Sequence, residues 1–244
     1  MLSRLFFLFA MAGVVVAVFP WFLDAWFVRG EVLWGPRPGD TNLLMGILGG
    51  SLFGKWIAAA LIARIEELWA DRALWAGLLV WAGLEGGVSL WMGAWFHLGM
   101  TLLPVVVGVG GLLWWKRGFV YGRVGRWNLL AAVCALNLLG GIATAGLINT
   151  PVFEVWTANV GSSEAWLAFL FASIGGTIAG HFAMLVFAAR RGHWGICLVS
   201  VLAWFLLDST ITVLEGAWFN LWMVNLPCLV LVSVATVATA RSLR

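Results

Sequence analysis

The chain has 244 residues, of which 63% are apolar and only 10% are charged. Soluble domains carry roughly a quarter charged residues, so this composition excludes an ordinary soluble enzyme and a disordered protein. The net charge of +3 comes from basic residues at the ends of apolar runs and not from one basic cluster. This distribution excludes a nucleic-acid partner and predicts an integral membrane protein whose surroundings are a lipid bilayer.

Eight stretches are apolar and long enough, or nearly so, for the hydrocarbon core, which takes about 20 residues to cross. The fourth stretch is the shortest, and the longest polar loop, at 28–41, is too polar to cross. The predicted fold is therefore an all-α polytopic membrane protein with eight transmembrane helices. In chain order they lie near 5–27, 43–64, 72–96, 100–115, 127–149, 165–189, 194–219 and 222–240.

The basic residues predict which ends of these helices face the cytoplasm. With the N-terminus inside, eleven lysines and arginines fall in inside segments and two, Arg29 and Arg37, fall outside. Both termini are then cytoplasmic, in a bacterial inner membrane. The alternative for the first stretch is a cleaved signal peptide, because Arg4 precedes a long apolar run. Cleavage would leave seven spans, and an odd number of spans would destroy this charge pattern.

The sequence also repeats itself after about 125 residues, as expected of a duplicated unit. The best block pairs 84–104 with 207–227 without a gap, and nine of its 21 positions are identical. Each unit holds four helices, an even number, so the two repeats must be parallel. We assign residues 1–118 to the first four-helix repeat and 119–244 to the second.

Ionisable residues inside the predicted spans are the candidates for function, because hydrocarbon makes them costly. Lys55 and Glu85 of the first repeat correspond to His181 and Asp208 of the second. We expect a Lys55–Glu85 ion pair, and the second repeat allows an imidazole–carboxylate pair. Such pairs either fix the register of two helices or form a proton- or cation-linked site, since histidine titrates near neutral pH.

Three further polar residues, Glu215, Asn220 and Asn225, extend this group toward the outer surface. Glu215 lies seven residues after Asp208, on the same helix face, and Asn220 follows it. Near the same surface, Asp24 and Glu154 are interpreted as interfacial caps or as part of a vestibule that attracts cations. The predicted ligand- or ion-binding residues are Lys55, Glu85, His181, Asp208, Glu215 and Asn220.

The second helix of each repeat carries a small residue every four positions. Such stripes let helix backbones approach closely, and the alternative is a gap that admits a ligand or ion. A few tryptophans lie deep in the spans, either as packing or as the lining of a pocket for a flat apolar ligand. The stripes are Gly46, Gly50 and Gly54, then Ala172, Gly176 and Gly180, and the deep tryptophans are Trp56, Trp81, Trp91 and Trp204.

The segment Ala-Trp-Phe-Leu-Leu-Asp-Ser-Thr-Ile-Thr at 203–212, followed by Glu-Gly-Ala-Trp-Phe-Asn at 215–220, resembles small bacterial membrane proteins of the BphX- and DoxX-like kind. Those proteins are four-helix units with an acidic residue in the third helix followed by a Gly-Ala step. The resemblance implies a compact four-helix fold for each half, and it implies no activity.

The sequence contains no HExxH, GxSxG or Gly-rich phosphate motif, so we expect a protein that is not an enzyme. The predicted function is to bind or move a small apolar ligand, solute or ion at a site between the two repeats. The alternative is an accessory subunit that packs against another membrane protein or a second copy of itself. No particular cofactor is indicated.

Overall fold

The computed structural model describes residues 2–22, 41–91, 98–99, 101–106, 125–146 and 164–242. Within these ranges, six helices are long and apolar enough to cross a membrane, which agrees with the predicted multi-pass class. The first helix also contains a shorter apolar stretch, Leu2–Val18. The fourth predicted span is described at residues 101–106, which are helical.

The helices follow the predicted spans closely, and two of them contain a π-helical turn, a feature often found at functional sites. We label them α1 (Leu2–Phe22), α2 (Thr41–Ile62), α3 (Leu68–Trp81, continuing through the π-helical turn Ala82–Gly86 to Gly87–Trp91), α4 (Leu129–Gly146), α5 (Glu164–Arg190), α6 (Trp194–Leu214) and α7 (Trp218–Asn220, the π-helical turn Leu221–Asn225 and Leu226–Ser242).

One end of the helix bundle is basic. The turn between α2 and α3 meets the turn between α5 and α6, where the Trp69 ring stacks on His193 at 4.7 Å. The Arg190 side chain donates a hydrogen bond to the Gly125 carbonyl, 2.9 Å away, and so joins the start of α4 to the same end. The arginines in the described ranges lie at this end: Arg4, Arg64, Arg72, Arg126, Arg190, Arg191 and Arg241.

The central packing joins the two halves of the chain. Helix α2 packs along α6, α5 packs along α3, and α2 and α5 also contact each other. Within each half the main contact is between the first and second helices, α1 with α2 and α4 with α5. The second helix of each half is therefore held against the third helix of the other half, although a short turn connects it to its own third helix.

Glycines make these contacts between the halves close. A Cβ atom added at Gly50 of α2 would lie 2.9 Å from the Asp208 amide nitrogen of α6. A Cβ atom added at Gly180 of α5 would lie 2.7 Å from the Trp81 Cβ of α3. Both distances are shorter than side chains tolerate, so the helices pack directly at these two positions without a gap between them.

The outer faces of α4 and α7 present large apolar side chains. Leu136 and Leu139 of α4 are exposed, as are Val230 and Val234 of α7. A soluble monomer rarely exposes extended apolar surface of this kind. These faces suit contact with lipid chains, which leaves the polar groups of the spans in the bundle interior.

Candidate functional site

Four side chains that carry amino, imidazole or carboxyl groups are buried in the described parts of the central helices. Lys55, His181 and Asp208 are each 1% exposed, and Glu85 is 3% exposed. They lie on α2, α5, α6 and α3, the four helices that pack across the two halves. Ionisable groups at such depth are costly in a membrane, so the groups that contact them determine what they can do.

The Glu85 carboxylate lies in the π-helical turn of α3 and accepts hydrogen bonds from three directions. The Trp81 indole N–H donates to its Oε2 atom. Thr101 donates to Oε1 over 3.2 Å, and Thr177 of α5 donates to Oε2 over 3.4 Å. Because Thr177 belongs to the second half, the surroundings of this carboxylate are built by both halves of the chain.

Lys55 is positioned by aromatic rings. Its Nζ atom lies 3.2 Å from the centre of the Trp81 ring and 4.2 Å from that of Trp56. Rings at these distances attract a cation through the negative face of the π system. Within the described ranges Nζ has no hydrogen-bond partner, and Glu85 interacts with it electrostatically. Trp81 therefore lies between the two residues that were expected to pair. Its ring face contacts the Lys55 amino group, and its N–H donates a hydrogen bond to the Glu85 carboxylate.

The Asp208 carboxylate is surrounded by hydrogen-bond donors. Trp204 donates to Oδ2 over 2.9 Å, while Thr212 and Asn225 each donate to Oδ1 over 3.0 Å. Asn220 also donates to Oδ1, over 3.3 Å. Donors on both oxygens suit the ionised form of a carboxylate, which can only accept.

The two asparagines link this carboxylate to neighbouring hydroxyl groups. The Asn225 amide nitrogen lies 3.2 Å from the Ser209 oxygen, and the Asn220 amide nitrogen lies 3.0 Å from the Thr212 oxygen. The Asn225 Oδ1 atom is buried and has no hydrogen-bond partner in the described part of the chain. We call Asp208, Ser209, Thr212, Asn220 and Asn225 the Asp208 cluster.

His181 does not form the imidazole–carboxylate pair that the sequence allowed. Its Nε2 atom lies 3.0 Å from the Ser200 oxygen, and Ser200 also donates to the Cys197 carbonyl over 3.3 Å. Ser200 precedes Asp208 by about two helical turns along α6, at 3.6 residues per turn. The imidazole is therefore bonded at a different level of α6, and the partners of Asp208 are those given above.

Glu215 does not join these buried groups. Helix α6 ends at Leu214, and Glu215 is exposed at its C-terminal cap. Gly216 then adopts a positive φ of 68°, a left-handed conformation that glycine accepts readily and that turns the chain away from the helix. A spacing of seven residues places two side chains on the same face of a continuous helix. Because α6 ends at Leu214, this rule does not apply to Asp208 and Glu215. Asn220, by contrast, contacts Asp208.

The indole partners of the two acids were missed by the sequence interpretation. Trp81 precedes Glu85 by four residues, and Trp204 precedes Asp208 by four residues. Residues four apart on a helix are neighbours, so each indole N–H reaches its acid. The Trp-x-x-x-acid spacing that both halves of the chain share was the signal that would have identified them.

Several predicted features lie outside the described residues. These are two acidic residues predicted near the outer surface and the middle of the repeat block at 84–104. They are Asp24, Glu154 and the block residues 92–97.

Comparison of the chain with protein-family models, curated proteins and solved structures finds no match. The resemblance to DoxX-like units gains no support from this comparison. Function is therefore inferred from the geometry of the buried polar groups.

Proposed function

We propose that this chain is a non-enzymatic inner-membrane protein that binds or translocates a small solute or ion between two parallel four-helix repeats. The observation that carries the proposal is the pair of buried carboxylates, Glu85 and Asp208, each on a helix that packs across the two halves. Carboxylates inside membrane spans are rare, and they commonly mark solute or ion pathways.

The position of each carboxylate supports a role that involves both halves. Glu85 accepts a hydrogen bond from Thr177 of the other half, and Asp208 lies against Gly50 of the other half. Any movement of one half against the other changes the surroundings of both carboxylates. This is the arrangement expected where two repeats alternate around a site at their interface.

The proposed topology has eight spans with both termini in the cytoplasm. The basic end of the bundle supports it, because arginine-rich ends of membrane helices face the cytoplasm. Helix α1 and the segment at 101–106 supply the first and fourth spans in this topology.

A non-enzymatic role is favoured by the packing around His181 and Ser200, a histidine–serine pair in the described part of the chain. A Cβ atom at Gly54 would lie 2.9 Å from the Ser200 carbonyl oxygen and 3.2 Å from the His181 ring. Helix α2 therefore lies directly against this pair. A substrate carbonyl has no approach to the Ser200 hydroxyl in this arrangement.

The second candidate is an accessory subunit of a larger membrane complex. It is favoured by the direct helix packing at Gly50 and Gly180, which leaves no gap between the halves at these positions. In that case the buried acids serve to fix the register of the central helices. The partner is then another membrane protein or a second copy of the chain.

Native mass spectrometry of the protein, extracted gently from its own membrane, separates the two candidates. The proposal expects a chain that carries a defined small molecule or ion, which is lost in the double variant Glu85→Gln/Asp208→Asn. Glu215→Gln, which changes an exposed acid, is the matched control and should retain the adduct. Recovery within a larger stoichiometric complex, unchanged by the double variant, would overturn the proposal and favour the subunit.

A further inference from the structure

We propose that the Asp208 cluster binds a small monovalent cation of the size of Na⁺. The inference deepens the proposed function, on which it rests, by naming the ligand class of the site in the second half. It is carried by the oxygen atoms of the cluster, by one buried amide oxygen and by a comparison of the two halves.

The cluster places one hydroxyl oxygen, that of Thr212, and the amide nitrogens of two asparagines around a single carboxylate oxygen, Asp208 Oδ1. The Thr212 hydroxyl and the amide groups of Asn220 and Asn225 all lie 3.0–3.3 Å from Asp208 Oδ1. Rotation of an asparagine amide by half a turn exchanges its nitrogen for its oxygen. Hard cations take oxygen ligands at about 2.3–2.6 Å, and right-angled ligands then lie about 3.3–3.7 Å apart. The cluster therefore needs little more than two amide rotations to surround such a cation.

The Asn225 Oδ1 atom is the independent sign of a ligand. The Asn225 side chain is 2% exposed and is directed into the cluster, where its nitrogen bonds to Asp208 and Ser209. Its oxygen has no hydrogen-bond partner among the described residues, which is costly for a buried acceptor. A cation in the cluster would give this oxygen a partner.

The two halves differ in the charge that each supplies to its acid. In the first half, the Lys55 amino group lies over the Trp81 ring and interacts electrostatically with Glu85. In the second half, His181 takes the position of Lys55 but bonds to Ser200. The interactions of Asp208 in the described ranges are hydrogen bonds from neutral groups. A bound cation in the second half would supply positive charge beside the Asp208 carboxylate, in the role that the Lys55 amino group has beside Glu85.

The same charge comparison indicates the valence of the ion. The titratable side chain that faces Asp208 from α7 is Cys228, whose thiol adds no positive charge. One monovalent cation neutralises the single carboxylate, whereas a divalent ion would leave an uncompensated positive charge in the membrane interior. Charge balance therefore favours a monovalent ion over Ca²⁺ or Mg²⁺.

The test measures binding of radioactive sodium to the purified full-length chain in detergent, with choline chloride holding the ionic strength constant. We expect saturable binding of one ion per chain, loss of binding in Asp208→Asn, and an affinity at least about tenfold weaker in Asn225→Leu. Asn225→Asp keeps an oxygen at the same position and should retain cation binding. Glu215→Gln changes an exposed acid of the same region and should bind sodium like the unaltered chain.

Absence of saturable sodium binding by the unaltered, monodisperse chain would overturn the inference, and so would undiminished binding by Asp208→Asn. If Asn225→Leu does not fold, Ser209→Ala gives the second measurement, and a weakened affinity is again expected. An adduct lost from Glu85→Gln/Asp208→Asn without any sodium binding would leave the proposed function standing and reject the cation. Sodium binding that is lost in Asp208→Asn would support the cation whether the chain is recovered alone or within a stoichiometric complex.

Discussion

Replacement of Lys55 by methionine tests how the buried charges of the first half are balanced. Methionine keeps most of the apolar stem that packs beside the aromatic rings and removes only the ammonium group. The ammonium is 1% exposed, contacts the Trp81 and Trp56 ring faces and interacts electrostatically with Glu85. Its removal takes away a positive charge that acts on the buried Glu85 carboxylate.

The size of the effect follows from this burial. Removing one member of a buried ion pair costs about 3–5 kcal/mol, because the remaining charge has no compensation. Replacing both charged groups by neutral ones is commonly neutral or stabilising. We therefore expect Lys55→Met to lower the free energy of unfolding by about 3 kcal/mol and Lys55→Met/Glu85→Gln to recover most of that loss.

The measurement is reversible unfolding in mixed detergent–SDS micelles, followed by far-ultraviolet circular dichroism, for the two single variants and the double variant. The double-mutant cycle isolates the coupling between the two side chains. Glu215→Gln, at an exposed position, should stay within about 0.5 kcal/mol of the unaltered chain. A similarly small effect of Lys55→Met, or a double variant no more stable than Lys55→Met, would refute the charge-balance reasoning.

Two further variants probe the contacts between the halves. Gly50→Ala places a methyl group 2.9 Å from the Asp208 amide nitrogen and should cost about 1–3 kcal/mol of unfolding free energy. Gly140→Ala, where nothing lies within 4 Å of the added carbon, should be neutral or stabilising in the same assay, and equal effects would contradict the packing described for α2 and α6. Trp204→Phe removes the N–H that donates to Asp208 over 2.9 Å and should cost about 1–3 kcal/mol, whereas the exposed Trp222→Phe should be silent. Equal unfolding midpoints for these two tryptophan variants would show that the hydrogen bond from Trp204 to Asp208 does not stabilise the protein.

The positions of the long helices could be predicted from the sequence because the hydrocarbon core sets a minimum length for an apolar run. The predicted spans 43–64 and 165–189 correspond to α2 and α5. The buried acids were also found from sequence, since Glu85 and Asp208 interrupt otherwise apolar helices. Composition and periodicity are sufficient for inferences of this kind.

The pairing of helices could not be predicted in the same way. A short turn joins α2 to α3, which suggests that Lys55 and Glu85 meet as partners in a helical hairpin. In the structure α2 packs on α6 and α3 packs on α5, so side-chain contacts depend on which helix of the other half lies opposite. Apolar periodicity does not encode that choice, because small-residue contacts decide helix association in a membrane.

Local backbone geometry explains the remaining differences. The left-handed conformation of Gly216 ends α6 before Glu215 can share a buried face with Asp208. The π-helical turn Leu221–Asn225 sets the direction of Asn225, which no spacing rule for regular helices would have placed beside Asp208. Each of these features depends on a turn of one or a few residues.

Helix α2 contributes to the surroundings of both acids. Gly50 lies against the Asp208 backbone, and Lys55, little more than one turn further along the same rigid helix, faces Trp81 beside Glu85. A displacement of α2 would therefore change its contact with Asp208 and move the lysine relative to the other carboxylate. The two acids are in this sense linked through one helix, because a displacement of α2 alters the surroundings of both at the same time.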